Sequence, residues 1–364
     1  MADEEVKSVL DIPVNSSQPA QNTFKFPDGI VVSSEFDSGN LSKCYTNEND
    51  PKYFNCWMSG DGMPYSAVGH YRTWFYFSVT GVQKDDTLTF AIKGMAAQGK
   101  LYKMGLRPVY RVSPHSMKWK RACGSLKWDY QEGHFCVTFT HTFTNFNSET
   151  DVAYFAWTYP YSYEQSIKKT QKLMKKFEDH PDIYIHREVL YYSREHREME
   201  IITFSGRHKI TEEREELVDG LFPLAHGDKE TRPFKFDKPI IFFSSRVHPG
   251  ETPASFVLNG IWNFLTNEKN VQSKILRDNF VFKIVPMLNP DGVYRGYYRT
   301  DTLSQNLNRY YLDPSPINQP TIWAVKRAIQ QCSESKKLQI YVDLHAHASK
   351  RGCFMFGNSL KGEA

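Results

Sequence analysis

A change of residue period near Tyr163 constrains this chain more than any other feature. From about residue 24 to 162, short aromatic and β-branched runs recur between turn signals. Residues 73–80 read TWFYFSVT, 87–92 TLTFAI, 135–143 FCVTFTHTF and 152–158 VAYFAWT, with Gly81-Val-Gln-Lys-Asp-Asp and Gly94 between them. Runs of this length and spacing predict an antiparallel β-sandwich. Aromatic residues make up 15% of the chain, which suits half-buried pleated surfaces better than a helical bundle.

After Tyr163 the period changes. Residues 163–179 (YEQSIKKTQKLMKKFED) place Ile167, Leu173, Met174 and Phe177 among many lysines, and Pro181 follows. This predicts a solvated amphipathic helix joining two domains. From about 183, strand-like runs at 184–190, 199–203, 239–244, 280–286 and 338–344 alternate with helical stretches. One helix is expected over 252–267, with Thr252 as N-cap, Pro253 at the first helical position and an apolar stripe of Phe256, Ile261, Phe264 and Leu265. Another is expected over 320–332, with Ile322, Val325 and Ile329 inward. Such alternation predicts an α/β domain with a substantially parallel sheet. The 364 residues exceed what one core usually organises. The expected organisation is a flexible arm (1–22), a β-sandwich (23–162), a helical connector (163–182) and an α/β domain (183–364).

Composition excludes several classes. With 40% hydrophobic and 24% charged residues the chain is not disordered. No apolar run approaches the roughly 18 residues that a membrane span needs, so no membrane association is expected. The net charge of +4 permits an acidic partner without demanding one. The six Cys form no CxxC pair, and the acidic N-terminus leads into no apolar stretch. Thiols in a reducing compartment, and hence a cytosolic protein, are expected. Lys118-Trp-Lys-Arg and Lys127-Trp interleave basic and aromatic residues as single-strand binders do. They are short, isolated and set in a β-rich region, so no nucleic-acid partner is expected.

Three segments place polar residues directly after an apolar strand. IIFFSSRVHPGETPAS carries His248 and Glu251. VFKIVPMLNPDGVYRGYYRTDTLSQNLNRYY carries Asn289, Asp291, Arg295, Arg299, Asn308 and Arg309. LQIYVDLHAHASKRG carries Asp343, His345, His347, Lys350 and Arg351. In an open α/β sheet, ligands bind in the crevice beyond the carboxyl ends of the strands. His248 and Glu251 lie three apart across a Pro-Gly turn, so a ring nitrogen and a carboxylate oxygen can meet one divalent ion. His345 is the natural third donor, and a His2Glu set leaves a fourth position open. Each signal has an ordinary counterpart: a turn with an exposed His, a hydrogen-bonded strand-end His, an Asn-Pro-Asp-Gly turn. The combination at three strand ends is what points to a metal centre.

HPGE, NPDG followed by YRTD and NLNR, and DLHAHASKRGCFMFGN together resemble the M14 zinc carboxypeptidases. More narrowly they resemble the cytosolic carboxypeptidases that shorten polyglutamate chains on tubulin. SSEFDSGNLSKCY and WFYFSVTG also look like that subfamily's N-terminal domain, so the resemblance covers most of the chain from about residue 31. It implies an N-terminal β-sandwich followed by a mixed, largely parallel α/β carboxypeptidase-like domain. His248, Glu251 and His345 match the ligands of one Zn2+ per chain. Arg299 matches the arginine that stabilises the oxyanion, and Asn308 and Arg309 match the pair that grips the terminal carboxylate. An arginine fork suits that carboxylate. Arg246, Arg295, Lys350 and Arg351 are expected to make the crevice basic. The implied activity is removal of glutamates, branch points included, from tubulin and other acidic protein tails by a monomeric enzyme.

One departure bears on activity. The family's general-base glutamate and side-chain pocket residue lie well after the third ligand, and this sequence ends at Ala364 with Glu363 as its one glutamate after His345. The expectation is a fragment or truncated form, lowered in rate by about two to four orders of magnitude for want of a base, with an open sheet edge. The competing expectation is a non-catalytic or weakly active protein that binds acidic tails.

Overall fold

The structure is a computed structural model that describes residues 21–63, 71–122, 124–131, 134–348, 350 and 352–358. The expected arm at 1–22 falls almost wholly outside these residues, as do Arg351 and Glu363.

The aromatic half forms two facing sheets. One has six strands in the order Thr23–Lys25, Val31–Ser33, Tyr76–Thr80, Val152–Ala156, Val109–Ser113, Lys120–Arg121. The other has five, in the order Lys43–Asn47, Asp50–Trp57, Thr87–Met95, His134–Thr142, Leu126–Gln131. Alternate residues point between the sheets. Phe77 and Phe155 from the first meet Phe90 and Phe139 from the second, with ring centroids 5.4 Å (Phe77–Phe90) and 5.0 Å (Phe90–Phe155) apart. The sandwich is not purely antiparallel, because Asp50–Trp57 runs parallel to Thr87–Met95. The chain between them passes through the opposite sheet as Tyr76–Thr80, which supplies the crossover that parallel neighbours require. Trp119, from the basic-aromatic run, packs against Tyr76 at 5.7 Å and under the Arg111 guanidinium at 5.1 Å.

Helix Tyr163–Lys176 starts with a capping box, in which Ser162 and Gln165 bond reciprocally. Asp37 of the sandwich adds to this cap, accepting from the Glu164 N–H at 2.7 Å. Leu173 and Phe177 are buried under the helix, as its spacing predicts.

The second half is a five-stranded sheet in the order Ile183–Tyr192, Glu198–Gly206, Val281–Val285, Ile240–Ser245, Leu338–Leu344. The first two pairings are antiparallel and the last two parallel. The sheet is therefore mixed, and its parallel part is the part that carries the polar strand ends. Phe282 and Ile284 face helix Thr252–Leu265, while Val281 and Val285 face helix Pro320–Glu334. Both faces are covered, which is why these strands read as continuous apolar runs. Leu338–Leu344 forms one edge of the sheet, and its Ile340 is 49% exposed.

Two local expectations are corrected. Glu251, not Thr252, is the N-cap of the helix, so Thr252 is its first residue. Phe256 and Phe264 are 45% and 41% exposed; the inward stripe is Ala254, Leu258, Trp262 and Leu265. The spacing of 254, 258, 262 and 265 follows the helical repeat, whereas the two phenylalanines fall on the opposite side. No helix among the described residues is long and apolar enough to cross a membrane.

Candidate metal centre

Three parallel strands end on the same side of the sheet. The turn after Ile240–Ser245 supplies His248 and Glu251, and His345 follows directly on Leu338–Leu344. Donor atoms of His248, Glu251 and His345 lie within 4.8 Å of one another. His248 Nδ1 is 2.9 Å from Glu251 Oε1, and His345 Nδ1 is 3.0 Å from Glu251 Oε2. Both rings thus present the same nitrogen to one point. Their other nitrogens are held from behind: His248 Nε2 meets Asn306 Oδ1 at 3.0 Å, and His345 Nε2 meets Asp343 Oδ2 at 2.7 Å. Asp343 is itself fixed by the Ser244 hydroxyl, which donates to it at 2.7 Å. Outer partners of this kind set the ring orientation and raise the basicity of the inner nitrogen.

The electrostatics fit a cation. Burial pushes the Glu251 carboxyl up, but His248, His345 and the Ala346 N–H outweigh it and hold it down at about 2. Burial lowers His345, while Asp343 and Glu251 raise it further, to about 10. Both carboxylates favour positive charge at His345, and a divalent ion bound there would compete with a proton. Two imidazoles and one carboxylate, each with an outer partner, are a fitting donor set for zinc with an open position.

The turn itself is braced from below. Arg246 has a left-handed backbone (φ 60°) and is 2% exposed. Its guanidinium donates to the Pro249 carbonyl at 2.7 Å and to the Tyr161 carbonyl at 3.0 Å. Gly250 donates to the Tyr298 carbonyl at 2.7 Å, and a Cβ there would come within 2.5 Å of the Tyr298 ring. Glycine is required at that approach.

The remaining sequence-derived residues divide. Arg299 comes to the centre, with Nη1 3.7 Å from Glu251 Oε1 and its side chain 30% exposed. Asn308 is half-buried and Arg309 exposed beside it, donating to the Asn308 carbonyl at 3.1 Å. Lys350 is exposed in the segment after His345. Arg295 is a correction: it is buried and ion-paired with Glu195, so it is not a cleft cation. Arg246 is likewise a buried brace. Asn289 and Asp291 are buried too. Asn289 ties Val247 to Thr300 through its side-chain amide, and Asp291 accepts from Ser193 and Arg197.

Asn306 and Asp343 back the two candidate imidazoles, a place that strand-end reasoning did not assign to either. Their signal was their spacing of two residues from Asn308 and His345. Asn306→Ala should weaken zinc binding by about 10- to 100-fold while leaving the fold intact, as measured by competition with a fluorescent chelator. Unchanged affinity would remove Asn306 from this role.

Comparisons with known proteins agree with this layout. Residues 32–157 match the family described as cytosolic carboxypeptidase N-terminal domain, and residues 170–310 match zinc carboxypeptidase. The chain is 32% identical to cytosolic carboxypeptidase-like protein 5 of Homo sapiens, over 92% of this chain and 50% of that protein. It is 34% identical to cytosolic carboxypeptidase 6 of Mus musculus, over 90% of this chain and 55% of that protein. The chain thus spans about half the length of these curated relatives. The crystal structure of a metallo-carboxypeptidase from Burkholderia cenocepacia shares the fold. Its TM-score is 0.65 at 22% identity, covering 88% of this chain and 71% of that one.

Proposed function

Because the chain belongs to the M14 zinc carboxypeptidase family and carries the N-terminal domain of its cytosolic members, we propose that it is a cytosolic zinc carboxypeptidase acting on acidic protein tails. The glutamylated tail of tubulin is the foremost substrate in this reading, and the working unit is a monomer. The observation that carries it is the convergence of His248, Glu251 and His345 donors within 4.8 Å, with Arg299 beside Glu251.

His248 Nδ1, a Glu251 carboxylate oxygen and His345 Nδ1 would hold the ion. Bound there, zinc supplies Lewis acidity toward a peptide carbonyl and lowers the pKa of water. Arg299 stands where negative charge would grow on that carbonyl oxygen, and a guanidinium fixed in advance stabilises it without reorganisation. Asn308 and the exposed fork of Arg309 would take the substrate's free carboxylate, which restricts attack to the last residue of a chain. Lys350 and Arg351 would add attraction for a polyanionic tail, an effect that salt weakens.

The test uses zinc-loaded protein and a glutamylated tubulin-tail peptide, read by mass spectrometry. Loss of mass in steps of one glutamate, abolished by chelation and restored by zinc, is the expected result. A peptide ending in lysine should stay intact. Zinc-dependent binding of the acidic peptide with no release would replace this reading with the non-catalytic one, and release that persists without metal would overturn the metal centre.

A further inference from the structure

The group that sets Arg299 in place comes from the other domain. Asp61 lies in the Ser59-Gly-Asp-Gly-Met segment of the β-sandwich half and is 2% exposed. Its carboxylate accepts from three consecutive backbone amides: Tyr298 at 2.8 Å, Arg299 at 2.6 Å and Thr300 at 2.9 Å. The Thr300 hydroxyl is a fourth donor at 3.3 Å. These four donors are neutral, and burial still pushes the Asp61 carboxyl up to about 6. A buried carboxylate without a neutralising cation is costly to keep. An apolar residue there would strand three amide donors, and an Asn would offer one acceptor oxygen where the carboxylate offers two.

The placement of those amides shows what the cost is for. They are centred on Arg299, whose guanidinium reaches Glu251. The carbonyl of Tyr298 points the opposite way and accepts from Gly250 inside the metal-binding turn. One peptide segment is therefore held by Asp61 on one side and by the metal turn on the other. Neighbouring bonds clamp the same loop to the sandwich: Ser38 N–H to the Tyr294 carbonyl at 2.8 Å, Asn40 Nδ2 to the Gly296 carbonyl at 2.8 Å, and Tyr297 hydroxyl to the Met63 carbonyl at 2.8 Å. Gly62, at φ +80°, lies against the same loop further on, since a Cβ there would come within 1.9 Å of Ser304 Oγ.

We propose that Asp61 is a positioning residue for Arg299, so that the β-sandwich sets the geometry of the oxyanion-stabilising arginine. The inference rests on the proposed peptidase function. A displacement of about 1 Å at such a group costs on the order of 100-fold in rate. Asp61→Asn keeps the shape but turns an N–H toward at least one of the amides that Asp61 accepts.

The experiment measures kcat and KM for glutamate release by the zinc-loaded full chain, with and without Asp61→Asn, in the parent and in an Arg299→Ala background. The expected result is a kcat loss of about 30-fold in the parent with KM within about threefold, and less than about twofold further loss in Arg299→Ala. Equal losses in both backgrounds, or none in the parent, would overturn the proposal. If Asp61→Asn does not fold, Thr300→Val replaces it, with an expected kcat loss of about threefold in the parent only. Should the parent release no glutamate, the proposed function fails by itself, and amide exchange then decides the inference. Asp61→Asn should speed exchange at residues 298–300 by tenfold or more while the sandwich strands keep their protection. Unchanged exchange there would overturn it.

Discussion

His248→Ala is expected to lose bound zinc and, with it, on the order of 10⁴-fold in kcat/KM, since the ion's charge stabilisation is worth several kcal/mol. His248 is 3% exposed and contributes one of the three donors. Removing it leaves Glu251 and His345 as the remaining donors, a two-residue set too poor to hold zinc. Two measurements check the result. Elemental analysis should fall from about one zinc per chain to near zero. The rise in melting temperature that zinc gives the parent should vanish, because a ligand stabilises only the state that binds it. A variant that keeps its zinc and its activity would place the metal elsewhere.

Arg299→Ala should separate charge stabilisation from metal binding. Its guanidinium offers no donor to a cation, so zinc content should match the parent. The kcat should nevertheless fall by about 10²- to 10³-fold, the range for loss of one preorganised oxyanion donor, with KM changed far less. Arg299→Lys should recover only part of this, because an ammonium lacks the planar fork. Steady-state release of glutamate from the tail peptide measures all three proteins. Parent-like kcat in Arg299→Ala would remove this residue from the chemistry, and a large rise in KM alone would move it to substrate binding.

Much of the candidate centre is legible in the sequence. His248, Glu251 and His345 stood at strand ends in a workable order, and the change of period at Tyr163 marked where the sandwich gives way to helix and α/β sheet. Short-range rules govern these features: alternation in strands, the 3.6-residue repeat in helices, the reach of a side chain across a tight turn. The helix after Glu251 shows their limit. Of the expected stripe, Leu265 is buried, but Phe256 and Phe264 lie on the exposed side while Leu258 and Trp262 meet the sheet. Which face turns inward is set by the strands beneath, and not by the helix itself.

The cations show the same limit more strongly. From the sequence, Arg246 and Arg295 are expected as crevice cations, and the family resemblance sets Arg299 apart as the oxyanion arginine. Their fates are set by partners that spacing does not reveal: the Pro249 and Tyr161 carbonyls for Arg246, Glu195 for Arg295, and Glu251 with the Asp61-held backbone for Arg299. Residue type and spacing over a few positions specify the two kinds of sheet and the connector helix, and they bring three candidate metal donors to neighbouring strand ends. Long-range packing sets which arginine faces the candidate metal centre. That depends on whether folding brings a distant carboxylate or carbonyl into the same buried space, and chain segments far apart in sequence carry no local mark of such a meeting.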